Sequence, residues 1–260
     1  MKINKIYNEN CIDTMSRMKD GLIDLTVTSP PYDNLRTYNG YSFDFESVAK
    51  ELYRVTKQGG VVVWNVNDST VDGSETLTSF KQALFFKDIG FNVHDTMIYD
   101  KGFAKFPDSV RYGQSFEYMF VFSKGKPNTF NPIQEFSKRF GRNSVISDRE
   151  KDGKTKSKKV KVNETKNKRN VWHIDSGFNR STKDVIAYNH PAIFPEKLAY
   201  DHIKTWTNEN DIVYDCFMGS GTTAKACISS SRKWIGSEIS KEYCEIIEKR
   251  LEPLRHNLFT

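Results

Sequence analysis

Residues 211–216 (DIVYDC) form a short apolar run that leads into Gly219-Ser220-Gly221, and a helix-forming stretch follows over 222–230. Strand, glycine turn and helix in that order are one half of a βαβ unit, which commits the chain to burying a sheet beneath helices. The same alternation occurs elsewhere. Residues 22–28 (LIDLTVT) read as a buried strand that stops at Ser29-Pro30-Pro31, because consecutive prolines cannot continue a central strand. A helix is expected over 45–55, where Phe45, Val48, Ala49, Leu52 and Tyr53 fall on one face, ending before Gly59-Gly60. Further strands are expected at 61–66, 96–99, 118–122 and 233–238, and helices at 77–89, 196–205 and 241–251. The spacing predicts a parallel α/β sheet.

The pattern breaks over 138–169, where SDREKDGKTKSKKVKVNETKNKR has almost no large apolar side chain. Such a stretch is expected to build no core of its own, with regular structure resuming near Val171. The chain as a whole, 260 residues with 37% hydrophobic and 13% aromatic side chains, suffices for a folded α/β domain. No apolar run approaches the roughly 20 residues that span a bilayer, and the first ten residues lack a signal-peptide core; a cytoplasmic location is expected. Cys11, Cys216, Cys227 and Cys244 are scattered without a Cys-x-x-Cys pair, so neither zinc nor a disulfide framework is expected. A formal charge of +6 is compatible with nucleic acid as partner.

The glycine turn limits the ligand. Glycines let the backbone approach a bound group, and a carboxylate ending the next strand, Glu238, can accept both hydroxyl protons of a ribose. No Gly-Lys-Ser/Thr follows and the third glycine of the dinucleotide fingerprint is missing. A ligand with ribose and adenine but no phosphates therefore fits best, and S-adenosylmethionine is such a ligand.

Ser29-Pro30-Pro31-Tyr32 sits at the carboxyl end of a strand, where open α/β sheets bind ligands. The exocyclic amine of a base is a poor nucleophile because its lone pair is delocalised into the ring. Ser29 Oγ and the Pro30 carbonyl are placed to accept from its N–H groups and favour a pyramidal nitrogen. The prolines hold that carbonyl in a fixed position. Tyr32 can stack on the base or face a cationic sulfonium.

Together these residues resemble the DNA amino-methyltransferases that act on cytosine N4 or adenine N6. The family's [Asp/Asn/Ser]-Pro-Pro-[Tyr/Phe/Trp] is matched at 29–32. Its Asp-Pro-Phe-x-Gly-Ser-Gly-Thr-Thr is matched at 215–223 with Cys216 in place of proline, and its Asn-His-Pro-Ala-x-Phe-Pro is intact at 189–195. Catalytic motif before cofactor motif is similar to the β-class order. The resemblance implies a circularly permuted, Rossmann-like, seven-stranded S-adenosylmethionine-dependent methyltransferase fold with an inserted target-recognition region. Residues 1–100 are then the catalytic half, 101–188 the late sheet strands plus the target-recognition region with its basic insert 138–169, and 189–260 the cofactor-binding half. It further implies that Asp13, Thr28, Asn189, His190, Pro191, Phe194, Asp215, Phe217, Gly219, Ser220, Gly221, Thr222 and Glu238 surround the cofactor, while Ser29, Pro30, Pro31 and Tyr32 surround the reacting amine, with no metal.

Double-stranded DNA is the implied partner, with a cognate restriction endonuclease as a second one and a monomer or homodimer as the working unit. The basic insert suits phosphate contact, with Arg139, Arg142, Lys158, Lys159, Arg169 and Arg180 as candidate DNA-binding residues. Methylating a base inside a duplex requires extruding it. Serine rather than aspartate at position 29 favours cytosine N4, with adenine N6 the alternative. An RNA methyltransferase and a catalytically silent DNA-binding regulator are remoter readings.

Overall fold

The computed structural model describes residues 1–31, 43–102 and 109–256. The chain opens with strand β1 (Lys5–Tyr7), helix α1 (Cys11–Ser16) and strand β2 (Ile23–Thr28). Helix α2 (Phe45–Val55), strand β3 (Thr56–Val66), the small hairpin β4 (Thr70–Val71) and β5 (Ser74–Glu75), and helix α3 (Thr78–Asp88) come next. Strands β6 (Asn92–Asp100) and β7 (Phe116–Ser123) follow. After β8 (Gln134–Phe136), β9 (Asn143–Arg149), β10 (Thr155–Lys161), β11 (Thr165–Asn167) and β12 (Val171–His173), the chain ends in a second α/β run. That run comprises α4 (Glu196–Trp206), β13 (Ile212–Asp215), α5 (Thr222–Ile228), β14 (Lys233–Ser237) and α6 (Lys241–His256).

Eight strands form the main sheet in the order β1-β14-β13-β2-β3-β7-β6-β12. The seven expected strands gain a three-residue edge, β12, parallel to β6. The sheet is mixed rather than all parallel: β7 pairs antiparallel with both β3 and β6. β7 therefore runs opposite to the strands on either side of it, and its first residues lie beside the last residues of β6. This reversal brings the start of β7 to the sheet edge where β2, β13 and β14 end.

Helix α2 shows how local sequence sets an element. Asp44 caps it, accepting from Ser47 N at 3.2 Å and Ser47 Oγ at 2.6 Å, and Val48, Ala49, Leu52 and Val55 are buried at helical spacing. Its end at Val55, before Gly59-Gly60, is as expected. The chain passes straight into β3 at Thr56, whose hydroxyl donates to Leu52 O at 2.6 Å, and Gly59-Gly60 lie inside the strand. Gly59 takes φ +77°, and a Cβ on Gly60 would meet the Asp24 carbonyl at 3.0 Å, so both positions need glycine.

The core between α2, α3 and the sheet is aromatic. Phe86 stacks on Phe122 at 4.5 Å between ring centres and meets Trp64 edge-on at 5.2 Å. Trp64 is fully buried and donates Nε1 to Gln82 Oε1 at 2.8 Å, so it is a packing residue.

The chain forms two compact units, one of Met1–Asn131 with Asn170–Thr260 and the other of Pro132–Arg169. The second corrects the expectation that residues 138–169 carry no regular structure. β9 and β10 pair antiparallel over seven residues from Thr155↔Arg149 to Lys161↔Asn143, and β8 pairs with β11. The turn signal is Asp152-Gly153, with Gly153 at φ +83°. Ser137 is the one buried residue among 132–169, so backbone ladders rather than a core hold this unit.

Truncating Phe86 to alanine removes the ring that four others pack against, and should cost about 3–5 kcal/mol of unfolding free energy. Urea denaturation followed by tryptophan fluorescence measures it.

Candidate active site

A cleft of about 500 Å³ opens where β2, β13 and β14 end. Asp215 closes β13 and is 5% exposed. Its Oδ1 accepts from Thr28 Oγ1 at 2.7 Å and Phe217 N at 3.1 Å, and its Oδ2 from Thr223 Oγ1 at 2.6 Å. Burial raises its pKa above the ordinary carboxylate value, against the pull of those bonds. Asp215 thus ties the last residue of β2 to the glycine loop, and Ser29 follows Thr28 directly.

Glu238, just beyond β14, braces the same loop. Its Oε2 accepts from Gly219 N and its Oε1 from Ser240 N, each at 2.9 Å. Burial lifts its pKa as well. Each oxygen keeps a lone pair, so a vicinal diol can still donate to it. Gly219 takes φ +54°, and a Cβ there would sit 3.1 Å from His190 Nε2. The His190 ring in turn packs edge-on against Tyr243 of α6 at 4.4 Å, and Ala192 N donates to its Nδ1 at 3.1 Å.

Behind the loop, Arg250 of α6 has no exposed side-chain surface. It donates to Ser220 O at 2.9 Å, Thr222 Oγ1 at 3.1 Å, Asp184 Oδ2 at 2.7 Å and Glu196 Oε1 at 2.5 Å. Lys225 Nζ reaches the same two carboxylates at 2.7 and 2.8 Å. Burial acts to raise Asp184 and Glu196, yet the bonds from these two cations outweigh it and hold both below the ordinary range.

Of the expected site residues, Ser29, Pro31, His190, Pro191, Phe194, Asp215, Phe217, Gly219, Ser220, Thr222 and Glu238 line the cleft. Thr28, Pro30 and Gly221 are buried behind its wall. Gly221 is needed there for its backbone, at φ +85° against Ile247. Asn189 is exposed at the end of a 3-10 turn, and Asp13 is exposed on α1. The place given to Asp13 is taken by Glu9, Asn10 and Cys11, because residues 11–16 coil into a helix that turns Asp13 outward. Tyr32 lies outside the described residues. Arg139, Arg142, Lys158, Lys159, Arg169 and Arg180 are all exposed, the first five in the smaller unit and Arg180 in the larger.

Sequence reasoning missed Tyr243, Ser240 and Arg250, which sit in an ordinary amphipathic helix pattern or just before it. It also missed Tyr99, Lys101, Gln114 and Glu117, which line the far wall of the cleft. The buried Cys216 thiol is pushed well above its ordinary pKa, first by burial and then by Cys11 and Asp215, so it supplies no thiolate nucleophile. Among the described residues no cluster of three metal-ligating side chains occurs.

The donor set suits S-adenosylmethionine. A buried carboxylate faces the cleft for a diol, Phe217, Met218 and Ile239 give an apolar wall for a purine, and glycine admits the ligand to the backbone.

Comparison with known proteins agrees with this geometry. The DNA methylase family that acts at N6 and N4 matches residues 23–249. The orphan methyltransferase M.BamHII of Bacillus amyloliquefaciens is 58% identical over 238 residues, 90% of each chain. The PvuII cytosine-N4-specific DNA methyltransferase superposes with a TM-score of 0.69 at 19% identity, covering 97% of this chain and 91% of that one. The M1.HpyAVI–SAM complex gives a TM-score of 0.62 at 23% identity, covering 95% and 99%. At those identities the two structures speak for the fold. The Ser-Pro-Pro turn and the glycine loop lining one cleft fit the family match over most of the chain, which makes this protein a member of the N6/N4 DNA methylase family, an S-adenosylmethionine-dependent DNA methyltransferase.

Proposed function

We propose that this enzyme methylates cytosine N4, in preference to adenine N6, on a base extruded from double-stranded DNA. The observation that carries the reading is that Ser29 and Pro31 line the same cleft as Glu238 and Phe217. Methyl donor and acceptor amine can therefore meet across it. Serine at position 29 supports cytosine, as a neutral acceptor where many adenine enzymes have a carboxylate.

In this reading Glu238 takes the ribose hydroxyls, Phe217 and Met218 face the adenine, and His190, Pro191 and Phe194 border the methionine end. S-adenosylmethionine supplies an electrophilic methyl on a sulfonium. Ser29 Oγ and the Pro30 carbonyl accept from the two amine N–H groups and turn the nitrogen lone pair towards that methyl. Asp215 keeps Ser29 in register with the glycine loop through Thr28. The smaller unit, residues 132–169, supplies phosphate contacts through Arg139, Arg142, Lys158, Lys159 and Arg169, within the target-recognition stretch 101–188.

The deciding experiment is mass spectrometry of nucleosides from unmodified DNA incubated with the enzyme and methyl-labelled S-adenosylmethionine. Labelled 4-methylcytosine is expected, and label in 6-methyladenine instead would overturn the choice of base. Ser29→Ala should lower turnover by roughly 100- to 1,000-fold, the scale for losing one preorganised hydrogen-bonding group, with cofactor affinity unchanged by calorimetry.

Protonating Glu238 removes an acceptor from the ribose. Because its pKa is raised, cofactor affinity should fall as pH drops while still above the ordinary 4.5. Glu238→Gln should bind weakly at every pH with a flatter profile, and any slope left belongs to Asp215. Replacing both Lys158 and Lys159 by glutamine should weaken DNA binding evenly across sequences. The slope of log affinity against log salt should become shallower by about 2, read by fluorescence anisotropy.

A further inference from the structure

The cleft has a second polar wall, away from the cofactor loop. Tyr99 near the end of β6, Lys101 just past it, Gln114, and Glu117 at the start of β7 line it together with Ser29 and Pro31. They come together because β7 runs against its neighbours, so its first residues stand beside the last residues of β6. Glu117 Oε1 accepts from Lys101 Nζ at 3.2 Å, and Glu117 Oε2 from Asn65 Nδ2 at 2.6 Å. Gln114 Nε2 donates to Asn67 Oδ1 at 2.7 Å. The Lys101 and Glu117 side chains are only 18% and 17% exposed.

Two charges so far out of water are costly to hold, and apolar side chains of similar size would serve stability at least as well. Their place on the wall of the cleft that Ser29 also lines gives them another use. We propose that Lys101, oriented by Glu117 and Asn65, donates a hydrogen bond to the ring nitrogen next to the amino-bearing carbon of the extruded base. This rests on the DNA amino-methyltransferase reading but not on the choice between cytosine and adenine.

The chemistry of the bases supports it. Cytosine N3 and adenine N1 carry a lone pair beside the amine, whereas thymine N3 and guanine N1 carry a hydrogen there. Acceptors at Ser29 and Pro30 next to a donor at Lys101 thus match the edge shared by the two substrate bases, and meet donor with donor on the others. Glu117 has a second effect. An unpaired ammonium at the ring nitrogen would draw the amine lone pair into the ring and oppose attack. The carboxylate beside it offsets that pull while leaving the ammonium N–H groups to spare for the base. Lys101 is then a base-binding residue and Glu117 a positioning residue.

The test is a cycle between protein and base. Once the methylated base is mapped, a duplex carrying it is compared with one whose target has that ring nitrogen replaced by C–H, as 3-deazacytosine or 1-deazaadenine. The wild-type enzyme should lose roughly 10- to 100-fold in kcat/KM on the analogue, the scale of a hydrogen bond from a charged group. Lys101→Met should lose a similar factor on the natural duplex and nothing further on the analogue. Glu117→Gln, which keeps shape without charge, should show an intermediate loss and a reduced penalty on the analogue. Cofactor affinity by calorimetry should stay within about twofold in both variants, which also shows that they fold. Losses that multiply, or full activity in Lys101→Met, would overturn the assignment alone. Weakened cofactor binding would place the pair's influence at the other end of the cleft and overturn it too. No methylated cytosine or adenine from the wild-type enzyme would bring down the underlying reading and this assignment with it.

Discussion

The Asp215 carboxylate, buried between the end of β2 and the glycine loop, is the interaction on which the site depends. Leaving a carboxylate out of water is unfavourable unless its lone pairs are filled, and here two hydroxyls and one backbone N–H fill them. The three donors come from residues 28, 217 and 223, so one side chain registers two halves of the sequence that are 187 residues apart. Ser29 inherits its position from that bond. The turn that begins at Ser29 therefore rests on the glycine loop rather than on its own strand alone.

The same solution recurs twice around the loop. Glu238 accepts from Gly219 and Ser240, and Arg250 donates to Ser220, Thr222, Asp184 and Glu196. In each case a buried charge bonds at least one group of the loop, which leaves the loop little freedom to rearrange when a ligand arrives. The Asp184 and Glu196 carboxylates lie on the segment that also carries His190 and Phe194. Arg250 and Lys225 thus hold that segment against the glycine loop.

Much of this was legible in the sequence where chemistry is local. Ser29-Pro30-Pro31 announces a strand end, and Gly219-Ser220-Gly221 with Glu238 announces a turn and a carboxylate that line one cleft, because turn geometry and spacing alone restrict those residues. What escaped depends on contacts distant in sequence. Asp13 was expected at the cleft and points to solvent, since Asn10 caps a helix there, accepting from Ile12 N at 2.9 Å. The basic insert was read as structureless from its composition, yet Asp152-Gly153 and the alternation of β9 and β10 are enough to form a ladder without a core. Pairing of backbone groups across a hairpin leaves little mark on composition.

The antiparallel strand β7 shows why the far wall could not be read at all. Alternating strands and helices predict parallel neighbours, and a parallel β7 would carry Glu117 to the opposite edge of the sheet, away from Ser29. Reversal places Glu117 beside Lys101, across sixteen residues with no motif between them. The antiparallel course of β7 is thus what gives this cleft two polar ends. One is built of carboxylates, Asp215 and Glu238, and suits a cationic donor with hydroxyls. The other holds a neutral ion pair and suits a base with no net charge. A donor that carries positive charge and an acceptor that carries none must lie in the same cleft for methyl transfer, and the electrostatics of the two walls separate them before either is bound.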